Sequence, residues 1–275
     1  MLANTERRAN ERVFLATSVI TFIVTAGVTI FWCRSMSGGM PMTHGWTMSM
    51  AWMRMSEQTW LGASVSFMGM WVVMMVAMML PALVPMLLRY RRAVLAPDAR
   101  LGGLSAFVSA GYFSVWTACG LVAYSIGIVL AAAEMRWPVV ASSVPIATGV
   151  VVLLAGCVQL SAWKGRQLAH CRDGLTCGGS IRPDAASALR YGFTLGVHCV
   201  LCCSSFMVVL LVTGVMSLSG MALVGAAITL ERISPERRRT APAIGIVVIA
   251  VGVVMIVRAL SAPSGIALLE LEAPR

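Results

Sequence analysis

The sequence is poor in charge. Of its 275 residues only 12% are Asp, Glu, Lys or Arg, where a soluble domain averages about 25%. Histidine is rarer still, with three in the chain. Several chemistries are missing as well. There is no Gly-rich phosphate loop with its lysine, no phosphorylatable Asp motif, and no helix interior carrying paired carboxylates, so the chain has no module for primary active transport. No basic stripe interleaved with aromatics is present, which excludes nucleic acid as a partner. No Ala-x-Ala site follows the first apolar run, Val13–Trp32. At about 20 residues that run exceeds the 7–15 of a secretory h-region and is long enough to cross a roughly 30 Å hydrocarbon layer. It is read as a retained span.

What is present in quantity is apolar surface, 59% of residues. Further apolar runs follow at Trp60–Leu88, Leu104–Ala133, Val139–Leu160, Phe193–Gly214, Val215–Leu230 and Ala241–Leu260. The last two thirds of this pattern contains one long block, Phe193–Leu230, which needs a turn near Gly214–Gly220. Basic residues gather at the N-terminus (Arg7, Arg8, Arg12), at Arg89–Arg100, at Lys164–Arg190 and at Arg232–Arg239. Each neighbouring pair of these segments is separated by two spans. Positive residues favour the cytoplasmic side, so the net charge of +10 reads as topology. The expectation is an all-α, polytopic transmembrane bundle of about seven spans in a bacterial inner membrane, forming a single integral membrane domain over residues 1–275 with a cytoplasmic N-terminus. Six spans plus a re-entrant hairpin is the alternative. Lipid admits only helices or closed barrels, and these runs are too long for barrel strands.

That topology puts residues 34–59 outside. This stretch is rich in methionine (Met36, Met40, Met42, Met48, Met50, Met53, Met55), with His44 among them. Gly38, Gly39, Pro41 and Gly45 interrupt any helix in its first half. Thioethers favour Cu(I), so the loop is a candidate collector of that ion; packing against the outer helix ends is the other reading. In the second span Met70, Met74 and Met78 repeat every four residues, with Trp71, Met75 and Met79 on the adjacent stripe. Pro81 and Pro85 follow, and each removes a helical donor, which predicts a kink near Leu80 facing protein or a cavity.

The sharpest cluster is HCVLCCSSFM, residues 198–207. On a helix His198, Cys199, Cys202 and Cys203 share one broad face, and Met207 continues it. Thiolate, imidazole and thioether together suit Cu(I), with Zn(II) as the alternative. Intramembrane histidine is costly without a partner, which marks His198 as functional. Counted from the loops, Cys202 and Cys203 lie at the same depth as Met78 and Met79, roughly 15 Å from the cytoplasmic face at 1.5 Å per residue. The two clusters can meet if their helices are neighbours. Cys33, Cys119 and Cys157 read as packing. In the cytoplasmic loop Gln159, Trp163, Lys164, His170, Cys171 and Cys177 form a second, looser group. Cys171 is its candidate for passing metal to the buried site, although a solvated basic loop is the plainer description.

Four blocks together resemble a bacterial family known only as predicted metal-binding integral membrane proteins, a domain of unknown function. They are Trp71–Pro85, the Gln159…Lys164…Cys171–Arg172 segment, the C-x-x-C-C-x-x-x-M run Cys199–Met207, and Gly214–Met216 with Glu231–Arg232. The sequence departs from that pattern at Gln167, Leu201 and Ser204. The resemblance implies metal binding in a membrane. The chemistry of the residues points to a soft metal, first Cu(I), handled for transport, delivery or metalloprotein assembly. Partners would be the lipid bilayer, the ion, and a periplasmic metallochaperone or copper-containing membrane enzyme, and catalysis is not expected. A membrane thiol-disulfide oxidoreductase and a structural subunit of a membrane complex are the rivals.

Overall fold

A computed structural model describes residues 2–35, 40–41, 47–48, 52, 59–94, 98–173, 182–234 and 237–261. Apart from short connections, the described residues are helical except for a two-residue antiparallel pair, β1 (Met40–Pro41) and β2 (Thr47–Met48). The helices are α1 (Leu2–Ser35), α2 (Trp60–Ala93), α3 (Asp98–Arg136), α4 (Pro138–Leu160), α5 (Ala162–Asp173), α6 (Ala185–Thr213), α7 (Leu218–Ile233) and α8 (Arg237–Ser261). Six of them, all but α5 and α7, are long and apolar enough to cross a membrane. At 16 residues α7 rises about 24 Å, short of the roughly 30 Å hydrocarbon layer. The bundle is therefore six long helices with one short one in the position of the expected sixth span.

Local chemistry sets the boundaries. The Thr59 hydroxyl accepts from the Gly62 N–H at 3.1 Å and starts α2. Asp184 caps α6 by accepting from the Ser187 N–H at 3.0 Å. That bond holds its carboxyl below the usual carboxylate range. With this cap α6 begins at Ala185, eight residues before the apolar run, because polar side chains on its first turns do not interrupt backbone pairing. Gly214, at φ 117°, ends α6 in a conformation that suits glycine. The chain turns there, and the Ser217 hydroxyl caps α7. Helix α2 runs unbroken through Pro81 and Pro85. Each proline still leaves a carbonyl, those of Ala77 and Pro81, without its helical donor.

Packing divides the bundle into two closely meshed pairs, α4 with α8 and α3 with α6, while α2 lies against α1, α3 and α7. Glycine permits both meshed contacts. A Cβ at Gly156 of α4 would stand 2.8 Å from the Ile249 nitrogen of α8. A Cβ at Gly196 of α6 would stand 2.9 Å from the Tyr112 carbonyl of α3. Close approach through small residues is how helices associate where lipid supplies no hydrophobic drive. Outward faces remain apolar, for example Ile20, Ile23 and Phe31 on α1 and Ile246, Val247 and Val254 on α8. The interior is one cluster centred on α2, α3, α6 and α7.

Candidate metal centre

The methionine stripe of α2 faces this interior. Met70, Met74, Met75, Met78 and Met79 are all buried, Met79 completely. Trp71 anchors the same face to α3 by donating from Nε1 to the Trp116 carbonyl at 2.9 Å. Phe67, one turn before it, stacks on Tyr124 and on Trp71, and Trp52 lies against Phe67 at 5.3 Å. The remaining expectation for the methionine loop falls outside the described residues, apart from the backbone of β1 and β2.

On α6, Cys199, Cys202, Cys203 and Met207 are buried and belong to the same cluster as the methionines. Helices α2 and α6 share α3 and α7 as packing neighbours. They meet through side chains where Tyr90 stacks on Tyr191 at 5.3 Å. Met78 precedes Tyr90 by twelve residues and Cys203 follows Tyr191 by twelve. At 1.5 Å per residue both lie about 18 Å from the stack. The two sulfur clusters thus share a level and a core, with α3 and α7 flanking them.

The cysteines are not surrounded by hydrocarbon. Cys199 and Cys203 hold their sulfurs 3.9 Å apart. The Arg232 guanidinium, from the end of α7, places Nη2 2.7 Å from the Cys199 sulfur and 3.7 Å from that of Cys203. On the α3 side the Tyr112 hydroxyl is 2.8 Å from the Cys199 sulfur. Beside them, Lys164 of α5 donates from Nζ to the Cys202 carbonyl at 2.6 Å. The same ammonium pairs with Glu231 at 3.1 Å and lies over the Phe206 ring at 4.8 Å. Gln159 donates to the other Glu231 oxygen and accepts from the Ser205 hydroxyl at 2.8 Å. Lys164, Glu231, Gln159, Ser205 and Arg232 are all buried. Buried charges persist when they are paired and hydrogen-bonded, and here each links helices around the thiols.

The candidate ligands therefore separate. Cys199, Cys203 and Met207 of α6, and Met74, Met75, Met78 and Met79 of α2, come into one buried region. The Cys202 side chain is buried beside Cys203, with its carbonyl held by Lys164. His198 is only partly buried, with Nδ1 2.8 Å from the Thr194 carbonyl of its own helix. Among the described residues, no three His, Cys, Asp or Glu side chains gather to hold an ion; the sulfurs of Cys199 and Cys203 lie 3.9 Å apart. The side chains of His170, Cys171 and Cys177 lie outside the described residues. Cys33 packs in the core, whereas Cys157 faces outward.

One expectation is corrected. The segment after α4 is no solvated basic loop over its whole length, since α5 packs on α6 and buries Leu168 and Lys164. Tyr112, Ser205, Glu231 and Arg232 had drawn no site assignment from the sequence. The available signal was that Lys164 is the chain's only lysine and that Glu231–Arg232 ends an apolar run. An ionisable residue inside a bundle is a functional candidate by default.

No curated protein and no solved structure matches the chain. The profile of a family described as PpoB2, copper chaperone, matches residues 68–255, from the methionine stripe of α2 into α8. The match spans every buried residue just described around the thiols, and the chain belongs to this copper chaperone family.

Proposed function

We propose that the protein is a multi-pass inner-membrane copper chaperone, acting as one integral membrane domain with its N-terminus in the cytoplasm. It holds Cu(I) at Cys199 and Cys203 for transport, delivery or assembly of copper-containing proteins. One observation carries this reading: two buried thiols stand 3.9 Å apart beneath a guanidinium 2.7 Å from one of them. Metal–thiolate bonds of about 2.3 Å reach across such a gap, and soft sulfur donors select Cu(I). Deprotonated thiols in an apolar interior need a countercharge, which Arg232 supplies. Met207 follows Cys203 by one turn, and the methionines of α2 at the same level offer weaker thioether stations along the ion's route. The outer methionine loop would exchange the ion with a periplasmic metallochaperone or a copper-containing membrane enzyme.

The copper chaperone family match supports metal holding over thiol-disulfide exchange. The test is anaerobic purification in detergent followed by Cu(I) titration against a chromogenic chelator. About one Cu(I) per chain, recoverable by a tighter chelator, is expected. A protein that takes up no Cu(I) contradicts the reading.

A further inference from the structure

Tyr112 of α3 has no exposed surface, and glycine on both sides of the α3–α6 seam sets its height against α6. A Cβ at Gly111 would overlap the Leu189 carbonyl, and one at Gly192 would overlap the Val108 carbonyl. Gly196, three residues before Cys199, rests on the Tyr112 carbonyl itself. Backbones this close fix the tyrosine relative to the cysteines. Phe113 stands edge-on to its ring at 5.1 Å. The hydroxyl then lies 2.8 Å from the Cys199 sulfur, its hydrogen-bond partner among the described residues. In the metal-free protein either group can donate. A metal-bound cysteine has lost its proton, so with copper present the phenol donates and the sulfur accepts.

We propose that Tyr112 is a positioning residue for the ion: its hydroxyl donates to the Cys199 sulfur and holds it in the orientation that binds copper. The phenol oxygen is too hard a donor to suit Cu(I), so it acts through the sulfur. Hydrogen bonds to metal ligands fix their orientation, and losing one costs about 10–100-fold in metal affinity. Burial sharpens the effect, because a hydrogen bond in the interior is stronger than one in water. A tyrosine that only filled the core would affect the stability of the metal-free protein and leave copper affinity alone. This inference rests on the Cys199–Cys203 reading and adds to it the group that aims one of the two sulfurs.

The experiment compares wild type, Tyr112→Phe and a protein with 3-fluorotyrosine in place of Tyr112, all in detergent. Cu(I) affinity is read by chelator competition. Tyr112→Phe keeps the ring and loses the donor, so affinity falls about tenfold or more. Fluorotyrosine keeps both ring and donor and holds the affinity within about threefold of wild type. Infrared difference spectra on Cu(I) loading give an independent readout. The phenol C–O stretching band moves as the hydroxyl becomes a fixed donor, and the fluorine displaces that band, which assigns it to Tyr112. This decides the matter if Tyr112→Phe does not fold. An affinity unchanged in Tyr112→Phe, a fluorotyrosine protein as weak as the phenylalanine one, or no Tyr112 band that moves on loading overturns the positioning role while leaving copper binding intact. A wild type that binds no Cu(I) overturns the underlying reading and this one with it.

Discussion

Arg232 Nη2 stands 2.7 Å from the sulfur of Cys199, and both residues are buried. They are brought together from the end of a short helix and the middle of a long one. Neither the guanidinium nor a thiolate would be stable alone at such a depth. Their pairing sets a permanent cation beside a buried sulfur, within the stretch that the copper chaperone profile matches.

The Lys164–Glu231 pair has a structural consequence that can be measured. Removing one partner strands the other in the interior, a loss of about 3–5 kcal/mol. Lys164→Met should lower the detergent unfolding temperature sharply. The double variant Lys164→Met/Glu231→Met should recover much of the loss. A double variant no better than the single one would show that the charge pair is not what the fold depends on.

The α3–α6 contact gives a second prediction. A side chain at Gly196 would press on the Tyr112 carbonyl, and overpacking of this kind costs about 1–3 kcal/mol. Gly196→Leu should reduce thermal stability and weaken copper binding together, since it separates Tyr112 from Cys199. Gly103→Ala, where nothing lies within 4 Å, should leave both unaltered. Equal effects from the two substitutions would count against the close approach.

The methionines of α2 separate packing from passage. Met74→Leu and Met78→Leu nearly conserve volume and should cost less than about 1.5 kcal/mol each. If these thioethers serve the ion, the double variant keeps its copper stoichiometry but transfers Cu(I) to an external chelator at least threefold more slowly. An unchanged transfer rate, measured by stopped-flow absorbance, assigns them to packing alone.

Much of this arrangement was legible in the sequence. Apolar run lengths gave the long helices, and the break at Gly214–Gly220 was visible because glycine and serine crowd there. Four-residue spacing placed Cys199 with Cys203, and it put Met70, Met74 and Met78 on the stripe that proves buried. The start of α6 was less legible, because hydropathy reports lipid contact and α6 continues past it to a capping aspartate. The charged half of the site was hidden for a related reason. Lys164 and Glu231–Arg232 sit where apolar runs end, which is also where ordinary loop charges sit. Only tertiary packing, with α5 folded against α6, turns them inward. His198 shows the reverse: its spacing suggested a shared face, while the ring is turned to the Thr194 carbonyl of its own helix.

The central claim is that Cys199 and Cys203 hold the copper. X-ray absorption at the copper edge, on Cu(I)-loaded protein, tests it most directly. The account predicts a first shell of sulfur only, unchanged when Cys33, Cys119 and Cys157 are replaced by serine. That shell should be lost together with the bound copper in Cys199→Ser and in Cys203→Ser. A shell of nitrogen or oxygen, or a sulfur shell that survives both Cys199→Ser and Cys203→Ser, would contradict it.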